Sequence, residues 1–172
     1  MKYIVAFDLT DPAVKEAAQT LSQMYPEAII VDANQAEDWP TASPDSTLYL
    51  IDHGSGQTFG GYNDPAQLVR ENGRLQQPFQ NAASVVLVSC STAQEAGLIL
   101  QDGFQASTFA RNLSGAFPQK EVQAAVGPVY ADGMGNLRVE TPGGIEGVTS
   151  DDEWVAFEGG NQKDLAASPF ER

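Results

Sequence analysis

The chain has 172 residues, 42% of them hydrophobic, with one cysteine and one histidine. That length supports a single domain with its own core, and the composition excludes an intramolecular disulfide, a cysteine-rich zinc site and a histidine metal cluster. With 23 acidic against 9 basic residues the net charge is -14, which sets the chain against nucleic acid and anionic membrane surfaces.

Tyr3 to Phe7 is a short β-branched and aromatic run that predicts a buried strand. It stops at Asp8, too soon for the apolar region of a signal peptide. The expectation is therefore a cytoplasmic protein or one secreted by a leaderless route. No stretch reaches the roughly 18 apolar residues of a membrane span. Thr10-Asp11-Pro12 predicts a helix start, followed by Val14, Ala17, Ala18, Leu21 and Met24 at helical spacing. Tyr25-Pro26-Glu27 ends that helix, and Ala28 to Val31 predicts a second strand. One β-α-β unit implies a parallel sheet.

Asn34 to Ser46 reads as a loop. A third strand over Leu48 to Ile51 runs into Asp52-His53-Gly54. The glycine-rich stretch from Gly54 to Gly61 reads as turn chemistry, since it lacks the Lys-Ser/Thr of a phosphate loop. Asn63-Asp64-Pro65 caps a helix over Ala66 to Asn72. The next strand, Val85 to Val88, runs into Ser89-Cys90. A polar loop from Ser91 to Gly103 holds an apolar Leu98-Ile99-Leu100 patch. A third helix spans Phe104 to Phe117, with Phe104, Phe109, Leu113 and Phe117 inward. Glu121 to Val126 predicts a strand, Val129 to Val139 a hairpin, and Glu153 to Phe157 a last strand. The domain is thus residues 1–160, and 161–172 a mobile tail. This order predicts an α/β/α sandwich with a mostly parallel central sheet and a C-terminal β-hairpin or flap.

The lone histidine and the lone cysteine each end an apolar strand. A thiol is a useful nucleophile as thiolate, and imidazole is the usual partner that makes it one. Open α/β sheets carry their sites outside the carboxyl ends of the parallel strands. The residues therefore predict a cysteine hydrolase with a His53/Cys90 dyad. Asp52 is a poor orienting acid, because adjacent strand residues point to opposite faces. Asp8, at the end of the first strand, is the better-placed candidate, with a helix-capping or loop carboxylate as the alternative reading. No cofactor and no metal is expected; the expected partner is a peptide or protein substrate, the chain itself included.

These residues resemble the caspase-like (clan CD) cysteine peptidases, in which one apolar strand ends in His-Gly and a later one in cysteine. The closest resemblance is to the self-cleaving cysteine protease domain of multifunctional RTX and large clostridial toxins, over about Ile4 to Phe157. Asp11 to Ala18 with Leu21 and Tyr25-Pro26 is similar to that family's first helix. Asp52-His53-Gly54 with Thr58-Phe59-Gly60-Gly61 is similar to its histidine loop, and Val85 to Ser91 to its cysteine strand. Phe109-Ala110 and Gly133 to Leu137 resemble its later helix and hairpin.

The resemblance implies a thiol endopeptidase with a caspase-like fold, His53 as imidazole, Cys90 as nucleophile, and the backbone amides of Gly54 and Cys90 as oxyanion donors. The toxin domains are activated by inositol hexakisphosphate on a cluster of lysines and arginines. Glu140 to Gly160 here has no basic residue but holds Glu146, Asp151, Asp152, Glu153 and Glu158, which repel a polyphosphate, so independence of that activator is expected. The neutral surroundings of Cys90 match a preference for leucine before the cut. Two alternatives stay open: a catalytically silent caspase-like scaffold acting as a protein-interaction module, and an acyltransferase in which an amine intercepts the thioester.

Overall fold

The computed structural model describes residues 1–34, 42–53, 58–88, 109–125, 129–131, 134–139 and 154–163. Along the chain these form β1 (Lys2–Ala6), α1 (Pro12–Met24), β2 (Ile29–Asp32), β3 (Thr47–Ile51), α2 (Pro65–Glu71), α3 (Gln76–Asn81), β4 (Ser84–Val88), α4 (Phe109–Ala116), β5 (Glu121–Ala125), β6 (Val129–Ala131), β7 (Leu137–Val139), β8 (Trp154–Glu158) and β9 (Asn161–Lys163).

Among the described residues, seven strands make one sheet in the order β2-β1-β3-β4-β5-β8-β9. The first five are parallel, and β8 and β9 add an antiparallel edge. Strand runs such as Leu48-Tyr49-Leu50-Ile51 are apolar at every position because both faces are covered, as parallel sheets require. Leu48, Leu50, Val85, Leu87, Val122 and Ala124 pack against Leu68 of α2, Phe79 of α3 and Phe109 and Leu113 of α4. The alternate residues Ile4, Ala6, Tyr49, Ile51, Val86 and Val88 pack against Val14, Ala17, Ala18 and Leu21 of α1 and Leu137 of β7. The β6–β7 pair is a separate two-stranded antiparallel sheet and lies on this α1 side. The α/β class, the mostly parallel central sheet and the hairpin thus agree with the sequence expectation.

Local chemistry sets the helix starts. The Asp11 side chain accepts from Ala13 N at 2.9 Å and Val14 N at 3.2 Å, with Pro12 in the first turn. Asp64 accepts from Ala66 N at 3.0 Å ahead of Pro65. Both are carboxylates satisfying amides that a helix start leaves unpaired.

Two expectations change. A 3-10 turn over Gly73–Leu75 and α3 fill a stretch for which the sequence predicted no element. Pro78 masks this helix to a sequence reader, yet it sits in the first turn, where its missing N–H costs nothing, and Leu75 and Phe79 are fully buried. Second, the tail does not begin at Asn161: Asn161–Lys163 is β9, paired antiparallel with β8, and Lys163 Nζ bridges Glu121 at 2.6 Å and Glu158 at 2.9 Å. Of the helix expected over Phe104 to Phe117, α4 is the described part, from Phe109 to Ala116. Residues 35–41, 54–57, 89–108, 126–128, 132–133, 140–153 and 164–172 lie outside the described residues. With them go the expectations for Leu98-Ile99-Leu100, Phe104, Val126 and Glu153.

Lys120, at the amino-terminal edge, is the cation buried among the described residues. Its Nζ donates to Ala82 O at 2.7 Å, just past α3, and lies over the Phe79 ring. Burial lowers its pKa, and the contact closes the end of α3 much as a C-cap does.

Candidate active site

The carboxyl ends of β1, β2 and β3 are tied together. Phe7 N donates to Ile51 O at 3.1 Å and Ala33 N to Ala6 O at 2.9 Å, and Asn34 Nδ2 donates to Phe7 O. His53 emerges at this edge, two residues past the end of β3. Its side chain is 57% exposed.

His53 is held by its ring and by its main chain. Nε2 donates to Asp11 Oδ2 at 2.8 Å; a carboxylate can only accept, so the proton sits on Nε2. The other oxygen of Asp11 caps α1, so the helix start fixes the acid that fixes the imidazole. The His53 N–H donates to Asp52 Oδ1 at 2.7 Å, and the His53 carbonyl accepts from Gly60 N at 2.7 Å. Gly60 and Gly61 have φ of 60° and 84°, as the centre of a two-residue type I′ turn requires. Phe59 and Tyr62 close that turn with reciprocal 2.9 Å bonds. The glycine-rich stretch is thus turn chemistry where it is described.

Charge follows this geometry. The Asp11 hydrogen bond is the main cause that raises the His53 pKa above its ordinary 6.5, helped by the charges of Asp11, Asp52 and Asp8. The same bond, with the amides of α1, lowers Asp11 below its ordinary 3.8. Half-burial raises Asp52. The His53 shift stabilises the fold fully below pH 6.5 and is lost as pH rises through the raised value. The Asp11 shift stabilises it above pH 3.8 and is lost as pH falls through the lowered one. The pair is doubly charged between those limits. Asp11→Asn is therefore expected to lower the His53 pKa toward 6.5, read from the imidazole proton shifts of the single histidine. An unchanged titration would mean that Asp11 does not hold the ring in solution.

Of the residues expected at the site, His53 is where the sequence reading put it. Asp8 is not its orienting acid: its carboxylate accepts from the amide and hydroxyl of Thr10, the loop role that was its alternative reading. Asp52 does not orient the ring either, as expected, but holds the main chain of His53. Cys90 and Gly54 lie outside the described residues. Asp11 is the partner that sequence reasoning missed. It was legible as a helix cap, but its approach to His53 depends on β1 lying beside β3, which no local pattern specifies. Among the described residues no group of three or more His, Cys, Asp and Glu is arranged to hold a metal ion, and no helix is long and apolar enough to cross a membrane. Two clefts of about 450 and 220 Å³, near Tyr25 and Lys120, lie at the amino edge of the sheet, away from His53. No family model matches the chain, and no curated protein matches it.

Proposed function

We propose that this chain is a cysteine endopeptidase of the caspase-like kind, similar to the self-processing domains of large toxins, with Cys90 as nucleophile and His53 as its acid–base partner. The observation that carries this reading is the register of the two central strands. β3 and β4 are parallel neighbours with Tyr49 opposite Val86 and Ile51 opposite Val88, all four on the α1 face. His53 follows Ile51 by two residues, and Cys90 follows Val88 by two. The two candidate residues thus follow facing positions of neighbouring parallel strands at the same spacing in sequence.

The chemistry follows from the hold on His53. With Nε2 committed to Asp11, Nδ1 serves the thiol. An imidazolium whose pKa is raised is a stable partner for a thiolate, and it lowers the thiol pKa in turn. The Cys90 thiolate attacks the scissile carbonyl carbon, and the amides of Gly54 and Cys90 receive the oxyanion. Collapse breaks the C–N bond, and His53 gives its proton to the leaving amine. Water then attacks the thioester, His53 takes the proton, and the carboxylic acid product leaves as the thiol is restored. Activity without inositol hexakisphosphate belongs to the same proposal. Its support is the acidic composition of Glu140 to Gly160, where Glu158 already engages Lys163.

A leucyl acyloxymethyl ketone tests the reading, because the thiolate displaces the carboxylate and leaves a stable thioether. The expected intact mass shows one adduct per chain without polyphosphate and none in Cys90→Ala. Labelling that requires polyphosphate would overturn activator independence. Absence of labelling across ketones with basic, acidic and apolar side chains would overturn the peptidase.

A further inference from the structure

We propose that Lys120 is an acylation site: its amine takes a small acyl group from an uncharged ester or thioester and holds it as an amide, with the acyl part in the cleft beside Phe117. The site stands at the amino-terminal edge of the sheet, away from His53, and does not depend on the peptidase reading.

Lys120 stands between α4 and β5 and is 5% exposed. The chain carries a net charge of -14, yet none of the ion pairs among the described residues includes Lys120. Glu121, the next residue, is engaged by Lys163 instead. Nζ has the Ala82 carbonyl at 2.7 Å and the centre of the Phe79 ring at 5.3 Å. A buried ammonium with one acceptor and no carboxylate is costly. The neutral amine relieves that cost and still donates to Ala82 O, and burial accordingly lowers the pKa of the group. With one N–H committed to the carbonyl, the lone pair of the neutral amine is left to attack an electrophile. Lys120 also lines a cleft of about 220 Å³ with Gln80, Ala116, Phe117, Pro118 and Gln119, which has room for a small acyl group. The hydrogen bond to Ala82 selects the chemistry. An amide keeps one N–H for that carbonyl and carries no charge, whereas a neutral imine formed with an aldehyde has no N–H to give. The side-chain amides of Gln80 and Gln119 can donate to the acyl carbonyl. The negative field of the chain disfavours an anionic donor such as an acyl phosphate, which leaves uncharged esters and thioesters.

A limiting amount of p-nitrophenyl acetate, added to the full chain at neutral pH, tests the site. Nζ attacks the acetyl carbon, the C–N bond forms, the bond to p-nitrophenolate breaks, and the amine proton goes to solvent. Hydroxylamine then strips acetyl from thiol and phenol, and peptide masses give the amount left on each of the four lysines. Lys120 is expected to be acetylated about tenfold faster than Lys15, which is exposed on α1, as a buried and uncompensated amine allows. In concentrated urea the two lysines should react alike. Ala116→Trp, at the exposed end of α4 where it fills the cleft, should slow Lys120 and leave Lys15 as it was. The chain acetylated at Lys120 should melt no lower than the unmodified chain, because the buried cation is gone and the bond to Ala82 stays. Lys120 reacting no faster than Lys15, a preference that survives urea, an unchanged rate in Ala116→Trp, or a lower melting temperature on acetylation would each overturn the proposal.

Discussion

Replacing His53 with alanine is expected to lower peptide turnover by about two to four orders of magnitude, the range a general acid–base group supplies. On the proposed mechanism two roles are lost at once. The thiol would no longer have a cation to stabilise its thiolate, so its alkylation profile is expected to move to that of an ordinary cysteine. The leaving amine also loses its proton donor. Because the chain has one cysteine and one histidine, both profiles are read without ambiguity, thiol alkylation by mass and imidazole titration by proton shifts. On the proposed mechanism, wild-type activity is expected to rise with pH as the thiol ionises and to decline as the imidazolium loses its proton. The hydrogen bond from Asp11, which raises the His53 pKa, pushes that alkaline limb upward. Asp11→Asn should therefore pull the alkaline limb down while leaving the acid limb closer to its place. A wild-type turnover rate in His53→Ala would remove the dyad altogether.

The parts of the fold legible in the sequence were those governed by local physics. Continuous apolar runs marked β1, β3 and β4 because both sheet faces are covered. Asp11-Pro12 and Asp64-Pro65 marked helix starts because capping carboxylates and first-turn prolines act within three residues. What failed was either short or non-local. The six residues of α3 show too little periodicity to register, and Pro78 reads as a breaker. Strand β9 is exposed along its length and held by pairing with β8, so it carries no apolar signature. The site divides in the same way. His53 was visible as the polar end of an apolar strand. Its acid was sought at Asp8, the nearest carboxylate after β1, whereas the residue that reaches it stands one turn of chain later, where α1 begins. Choosing between Asp8 and Asp11 needs the orientation of α1 over the sheet, set by Val14, Ala17, Ala18 and Leu21 packing on Ile4, Tyr49 and Ile51.

Phe59→Ala is expected to destabilise the fold by about 3–5 kcal/mol, as for other large-to-small changes at fully buried aromatics. The Phe59 ring has no solvent exposure. It meets Phe7 edge-on at 5.7 Å and Phe109 at 5.9 Å, so it joins the end of β1, the turn after His53 and the first residue of α4. A domain of this size holds about 5–15 kcal/mol in total, which makes the loss a large share of its stability. Urea unfolding should show the midpoint falling with little change in slope. The loss should also be felt at the site before the fold gives way. The Gly60 amide that anchors the His53 carbonyl is the next residue in the chain, so a cavity under Phe59 loosens the turn that holds it. In the folded variant at low temperature, the titration of the single histidine should thus move toward its ordinary 6.5 as its pairing with Asp11 weakens. A stability loss without that change in titration would mean that the turn is held by its own Phe59–Tyr62 hydrogen bonds rather than by the ring beneath it.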